Sequence, residues 1–331
     1  MPTYTDNGII WNFTVSGENA TIGTGNNGGA TTLGTALSGS ITIPGTVIDS
    51  STSTSYTVTA IEENAFRDCI DLTSVTIPDS VETIGGSAFR TCSSLTSLTI
   101  SDSVETIGTS CFYECSGLTS VTISAKSIGN SAFQICSSLK TVTIGESVEN
   151  IGENAFRQCY SLTSVTIPDS VETMGIYAFY QCSSLETVTI GNSVETIGTN
   201  CFYQCIALTS VTIGNSVKSI GTFAFYGCSS LESVTIPGSV ETIDDSAFYK
   251  CSSLESVTIP NSVTNIGDNA FAQSGLTSVT IPNSVGKIGN SVFNTCSSLK
   301  TVTIGESVTS IGTYAFQSCN SLESVTIPDS V

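Results

Sequence analysis

The side chains that could do chemistry here are thirteen cysteines, 28 carboxylates, ten tyrosines and long rows of serine and threonine hydroxyls; there is no histidine. That absence excludes Ser-His and Cys-His catalysis, histidine metal sites and imidazole switches. Eleven cysteines form one column: Cys69, Cys92, Cys115, Cys136, Cys159, Cys182, Cys205, Cys228, Cys251, Cys296 and Cys319, with Ser274 filling the gap. Cys111 and Cys201 stand four residues before Cys115 and Cys205, a spacing at which two thiolates could share a metal ion. No histidine or second close pair completes a zinc set. The competing reading is that both cysteine columns face the core, where cysteine behaves as a small apolar residue. The odd count fits reduced thiols, so no cofactor, no metal and no disulfide framework is expected.

The hydroxyls are as regular. A position such as Ser74 is Ser or Thr in twelve recurring segments, and the position two residues on is Thr in all twelve. Exposed together they would form a lattice, sampled by Ser164, Thr166, Thr187, Thr189, Ser210 and Thr212. Such a lattice covers a sheet with soluble, β-favouring residues; it also resembles the arrays of ice-binding solenoids, or could line a surface for sugar or protein. Tyr180, Tyr203, Tyr226 and Tyr249 share one column, with Tyr113 and with Arg67, Arg90 and Arg157 at the same place elsewhere. Stacked tyrosines can pack on themselves or, where exposed, offer an aromatic platform to a ligand. Glu82, Glu105, Glu149, Glu172, Glu195 and Glu241 form an acidic column interrupted by Lys218, beside Asp79, Asp102, Glu146, Asp169, Glu306 and Asp329. These read as a solubility edge, with weak calcium binding or a basic partner as the alternative; calcium-loop spacing is missing. Repetition itself argues against an enzyme, because an active site needs one asymmetric pocket.

Charge narrows the partners. Nine Lys and Arg against 28 Asp and Glu give a net charge of −19, the wrong sign for nucleic acid or an anionic membrane surface. No apolar run is long enough for a membrane span. The first residues, Met1-Pro2-Thr3-Tyr4, lack the basic and apolar regions of a signal peptide. The sequons at Asn12 and Asn19 matter only in a secreted protein.

What must position these columns is a repeat. The segment Leu72-Thr73-Ser74-Val75-Thr76-Ile77-Pro78 recurs with its leucine at Leu95, Leu118, Leu139, Leu162, Leu185, Leu208, Leu231, Leu254, Leu276, Leu299 and Leu322; nine of the eleven intervals are 23 residues, one is 21 and one is 22. Val75 and Ile77 share one face of a short strand and Thr76 the other. Pro78 ends the strand. Val81 and Ile84 point inward, and Gly85 is expected to turn the chain with a positive φ. Ala88, Phe89 and Cys92 have the spacing of a single helical or 3₁₀ turn with one buried face. No unit can bury its own apolar side, so the units must stack, Phe66 on Phe89 on Phe112 and onward.

The pattern Leu-x-x-Val-x-Ile-Pro-x-x-Val-x-x-Ile-Gly-x-x-Ala-Phe-x-x-Cys resembles the BspA-type leucine-rich repeat over about residues 60–331, and Gly29-Ala30-Thr31-Thr32 with Ile41-Thr42-Ile43-Pro44 resembles the lead-in of such proteins. The resemblance implies an α/β solenoid: a right-handed leucine-rich horseshoe or superhelix, with a parallel sheet on one face and short helical or 3₁₀ turns on the other. It also implies surface proteins that bind protein or glycan, and a cell-surface or secreted location.

Three regions are expected. Residues 1–37 form an N-terminal β cap, with Trp11, Phe13 and Val15 on one apolar face, Ala20-Thr21-Ile22 pairing beside them and Gly25-Asn26-Asn27-Gly28-Gly29 between. Residues 38–71 form a degenerate first repeat holding the polar insertion Asp49-Ser50-Ser51-Thr52-Ser53-Thr54-Ser55. Residues 72–331 form the array. The two residues lost after Ser124 predict a local kink near Ala125-Lys126. The last repeat stops at Asp329-Ser330-Val331, where an apolar end would favour end-to-end self-association. The function expected is a non-catalytic scaffold mediating protein or glycan binding, as in surface adhesion; the alternative is an ice-binding or purely structural solenoid.

Overall fold

The computed structural model describes residues 2–23, 30–32 and 37–331. The glycine-rich stretch 25–29 lies outside the described residues. The chain divides into two compact units, Met1–Leu162 and Thr163–Val331.

In both units the alternating Ser-Val-Thr-Ile segments form parallel strands. Ser97–Ile100 pairs with Ser120–Ile123, and that with Thr141–Ile144, in unbroken register. In the second unit Ser164–Ile167, Thr187–Ile190, Ser210–Thr212, Ser233–Thr235 and Ser256–Thr258 follow one another the same way. Valine and isoleucine point in and the hydroxyl residues point out, as a period of two requires. A second row was not anticipated. The pairs Thr83–Ile84, Thr106–Ile107 and Ser127–Ile128, and later Thr196–Ile197, Ser219–Ile220 and Thr242–Ile243, also join turn to turn in parallel. Each unit is therefore a parallel-strand β-solenoid, and the chain makes about twelve turns in all.

The helical or 3₁₀ turns expected on the other face are not there: among the described residues there is no helix. The segment Ser87–Cys92 shows why. Its backbone N–H groups alternate in direction. Ser87, Phe89 and Thr91 each donate to the next turn, to Thr109, Cys111 and Tyr113, at 2.8 Å, while Ala88, Arg90 and Cys92 donate back to Gly85, Ser87 and Phe89. A helix would keep all its bonds internal; here half of them tie neighbouring turns together. Ser87 (φ 54°) and Thr91 (φ 62°) take the left-handed conformation, which ends any right-handed helix after one turn. The same two positions are left-handed in turn after turn.

Gly85 is not the left-handed residue. Glycine is favoured at most places in its column, Glu62 and Asp244 being exceptions, because the backbones of successive turns nearly touch. A Cβ on Gly108 would lie 2.5 Å from the carbonyl carbon of Gly85, and one on Gly312 would lie 2.5 Å from that of Gly289.

The phenylalanines form the core ladder. Within each unit their rings stack almost parallel, with centroids 4.9 Å apart for Phe66 and Phe89 and 5.3 Å for Phe202 and Phe225. In the N-terminal strands Trp11 and Phe13 are buried, Val15 is 45% exposed, and Ile9–Ser16 pairs with Asn19–Ile22. Trp11 sets its ring edge-on to Phe66 at 6.3 Å, at the start of the column. The polar insertion is the tip of a hairpin, Thr46–Ile48 against Ser55–Ile61. Asp49 organises it by accepting hydrogen bonds from Ser51 through both its N–H and its hydroxyl, which lowers the Asp49 pKa. The two missing residues near Ala125 leave no kink in the ladders: Ser120–Ile123 and Ser127–Ile128 both keep register with the turn before. The loss is taken up by the connector, where Ala125 fills the buried place held by Val104 and Val148.

Candidate functional site

Four sets of columns carry polar chemistry: the cysteines, the hydroxyls, the acidic edge and the tyrosines. The cysteine column is internal. Its thiols donate to phenylalanine carbonyls of the preceding turn, Cys115 to Phe89 and Cys228 to Phe202 at 3.2 Å, Cys205 to Phe179 at 3.3 Å. That bond gives a reason for cysteine rather than valine: a small side chain that still satisfies a carbonyl. Burial raises the thiol pKa values, to about 12 for Cys136 and Cys228 and well above the usual value for Cys115, Cys205 and Cys251. A thiol held protonated is a poor nucleophile and a poor metal ligand. Cys111 and Cys201 are equally buried, in the alanine column, and among the described residues no cluster of three or more Cys, Asp or Glu could hold a metal ion. All thirteen cysteines are free thiols. Titration of the denatured, unreduced protein should therefore find most or all of the thirteen reactive; six disulfides by mass spectrometry would refute this.

The hydroxyl lattice is external. Ser164, Thr187 and Ser210 lie abreast, as do Thr166, Thr189 and Thr212, and all six side chains are exposed. The acidic edge is also solvated. Lys218 closes one gap in it with an ion pair to Glu195 at 2.9 Å, and Lys126 pairs with Glu105 at 3.8 Å. In the neighbouring column the short polar residues have structural work. Asp169 accepts the backbone N–H of Asn192, and Asn192 accepts that of Asn215, so side-chain oxygens link one turn to the next.

The tyrosines form a continuous strip in the second unit. Tyr180, Tyr203, Tyr226 and Tyr249 stack with centroids 4.8, 4.6 and 5.0 Å apart and planes within 7°. They are half-buried, one residue beyond the core phenylalanines. Burial, then the neighbouring phenols, raises the Tyr203 pKa. Beside the strip runs a second column: Tyr177 stands edge-on to Tyr180 at 5.6 Å and Phe223 edge-on to Tyr226 at 5.8 Å, with Asn200 between them in sequence order. Tyr177, Tyr180, Asn200, Tyr203, Phe223 and Tyr226 line a shallow notch. Gln181 and Gln204 join side chains at 2.9 Å nearby, and the Lys250 ammonium stands 5.6 Å from the Tyr249 ring. Strip and hydroxyl lattice are not brought together; one follows the core phenylalanine, the other lies on the long strands.

A family model described as the BspA type leucine rich repeat region matches residues 47–160, 119–232 and 218–331, in six copies. The chain belongs to the BspA-type leucine-rich repeat family. A leucine-rich repeat protein from Bacteroides ovatus is similar at 29% identity and a TM-score of 0.59, over 99% of this chain and 95% of that one. The pneumococcal vaccine antigen PcpA shares the fold at 22% identity and a TM-score of 0.50, over 99% and 92%. No curated protein sequence matches the chain. No helix among the described residues is long and apolar enough to cross a membrane.

Family membership explains the scaffold but not the aromatic notch, which departs from the repeat. In most BspA-type turns of this chain the position of Asn200 is Ser or Asn, and Tyr177 and Phe223 replace it with rings in two turns flanking the notch. Sequence reasoning missed these three residues. The available signal was their place three residues before Tyr180, Tyr203 and Tyr226.

Proposed function

We propose that this protein is a non-catalytic binding scaffold that takes a protein or glycan ligand on its tyrosine strip, in the manner of a surface adhesin. The observation that carries this reading is the strip itself: four stacked rings, half-exposed, on a chain whose other aromatic ladder is buried from Phe66 to Phe293. Rigid aromatic surface costs little conformational entropy to use and dominates binding energies. Every other polar column repeats along the chain without a unique constellation, which supports binding over catalysis.

A screen against extracellular-matrix proteins and glycans tests it. The double variant Tyr203→Ala/Tyr226→Ala is expected to weaken any binding found by at least tenfold while circular dichroism stays unchanged. Binding that survives the double change would mean that the strip is not the site.

The second reading is an ice-binding or structural solenoid, favoured by the in-register hydroxyl rows Ser164–Thr187–Ser210 and Thr166–Thr189–Thr212. An ice-recrystallisation assay separates the two.

A further inference from the structure

We propose that the notch over Asn200, between Tyr177 and Phe223, binds one sugar ring of an uncharged glycan; this rests on the tyrosine-strip reading and names its ligand class. Three observations lead there. The first is shape. Tyr177 and Phe223 are two turns apart, about 10 Å at the spacing of parallel strands. The residue between them is a short asparagine, so the outer row reads ring, gap, ring, and the gap is one ring wide.

The second is a polar group that lines the notch. Asn200 is only 8% exposed and lines the notch, and its amide is not among the buried side-chain groups left without a partner. Its backbone groups are satisfied, the N–H by Thr222 and the carbonyl by Tyr203. Its side-chain amide carries one acceptor and two donors. Vicinal hydroxyls on a pyranose ring supply the complementary pair, while the apolar C–H face of the ring suits aromatic walls.

The third is charge. No lining residue is charged, and the chain carries a net −19, which repels sulfated and sialylated glycans. The walls are also held against local preference. Tyr177 (φ 59°) and Phe223 (φ 57°) are bulky residues in the left-handed region, where Ser or Asn fits with less strain.

The test uses substitutions that the column itself carries elsewhere. Asn200→Tyr fills the gap with the residue found at Tyr177 and Tyr314, both left-handed there. Phe223→Ser removes one wall with the residue found at Ser246. Both should melt within a few degrees of the wild type. The probes are immobilised neutral oligosaccharides of glucose, galactose, mannose and N-acetylhexosamines, with sialylated and sulfated glycans and a proline-rich peptide library alongside. Binders are titrated by NMR.

The wild type is expected to retain at least one neutral class, with Asn200→Tyr weakening it at least tenfold and Phe223→Ser by a smaller factor. No neutral glycan bound at about 10 mM, or neutral binding that Asn200→Tyr leaves unchanged, overturns the proposal. If Tyr203→Ala/Tyr226→Ala abolishes binding while Asn200→Tyr does not, the strip stands and the notch falls. If the ligand sensitive to Asn200→Tyr is a peptide or an anionic glycan, the sugar assignment falls and the site remains.

Discussion

Raising the pH from 9 to 11 should unfold this protein. Eleven thiols have no solvent exposure, among them the nine of Cys92, Cys111, Cys115, Cys136, Cys201, Cys205, Cys228, Cys251 and Cys296. Burial raises the pKa of each of these nine above the ordinary 9.0, to about 11 for Cys296 and about 12 for Cys136 and Cys228. The sign follows from linkage. Below pH 9 the thiols are protonated in both states and stability is whole. Above it the unfolded chain ionises while the folded chain cannot, so stability falls as pH rises toward the folded values. Each thiol costs about 1.4 kcal/mol per pH unit in that window. One unit above the reference value, nine together remove on the order of 10 kcal/mol, comparable with the whole stability of an ordinary domain. Circular dichroism and thiolate absorbance should change together. The variant Cys111→Ala/Cys201→Ala, which restores the alanine of that column, should shift the midpoint upward and release two fewer protons. Thiolate absorbance rising well before the fold is lost would show that the column is more accessible than its burial indicates.

Much of this architecture could be read from the sequence because its causes are local or strictly periodic. Alternation in Ser-Val-Thr-Ile settles which side chains enter the core, and the interval of 23 residues stacks Phe202 on Phe225 whatever the turns between them do. The helical turn failed for a reason that spacing cannot record. Ala88, Phe89 and Cys92 meet one face in a helix and also in the observed turns; what distinguishes them is that Ser87, Phe89 and Thr91 donate to carbonyls about 22 residues away. Gly85 failed in the same way: its need for glycine comes from the neighbouring turn's backbone, not from its own φ. The tyrosine strip was legible as a column. The notch was not, because it depends on a short residue between two rings, and asparagine is an ordinary occupant of that position.

Adjacent residues of one turn should then respond in opposite ways. Phe202 is fully buried, with its ring 5.5 Å from that of Phe179 and 5.3 Å from that of Phe225. Phe202→Ala removes both contacts and leaves a cavity that the ladders on either side hold open, so it should cost about 3–5 kcal/mol. In a chain this size that lowers the melting temperature by roughly 5 °C. Well below melting, ligand binding should persist, because the strip is intact. Tyr203 is half-buried between Tyr180 and Tyr226. Tyr203→Ala gives up two stacking contacts worth about 1 kcal/mol each, partly recovered by hydration of the exposed edge, so melting should fall by less while binding drops. The comparison decides what the strip is for. If Tyr203→Ala destabilises as much as Phe202→Ala, the tyrosines are a second core that packs on itself. If stability and binding separate between the two variants, the outer ladder is held at the surface for a partner, and the inner one holds it there.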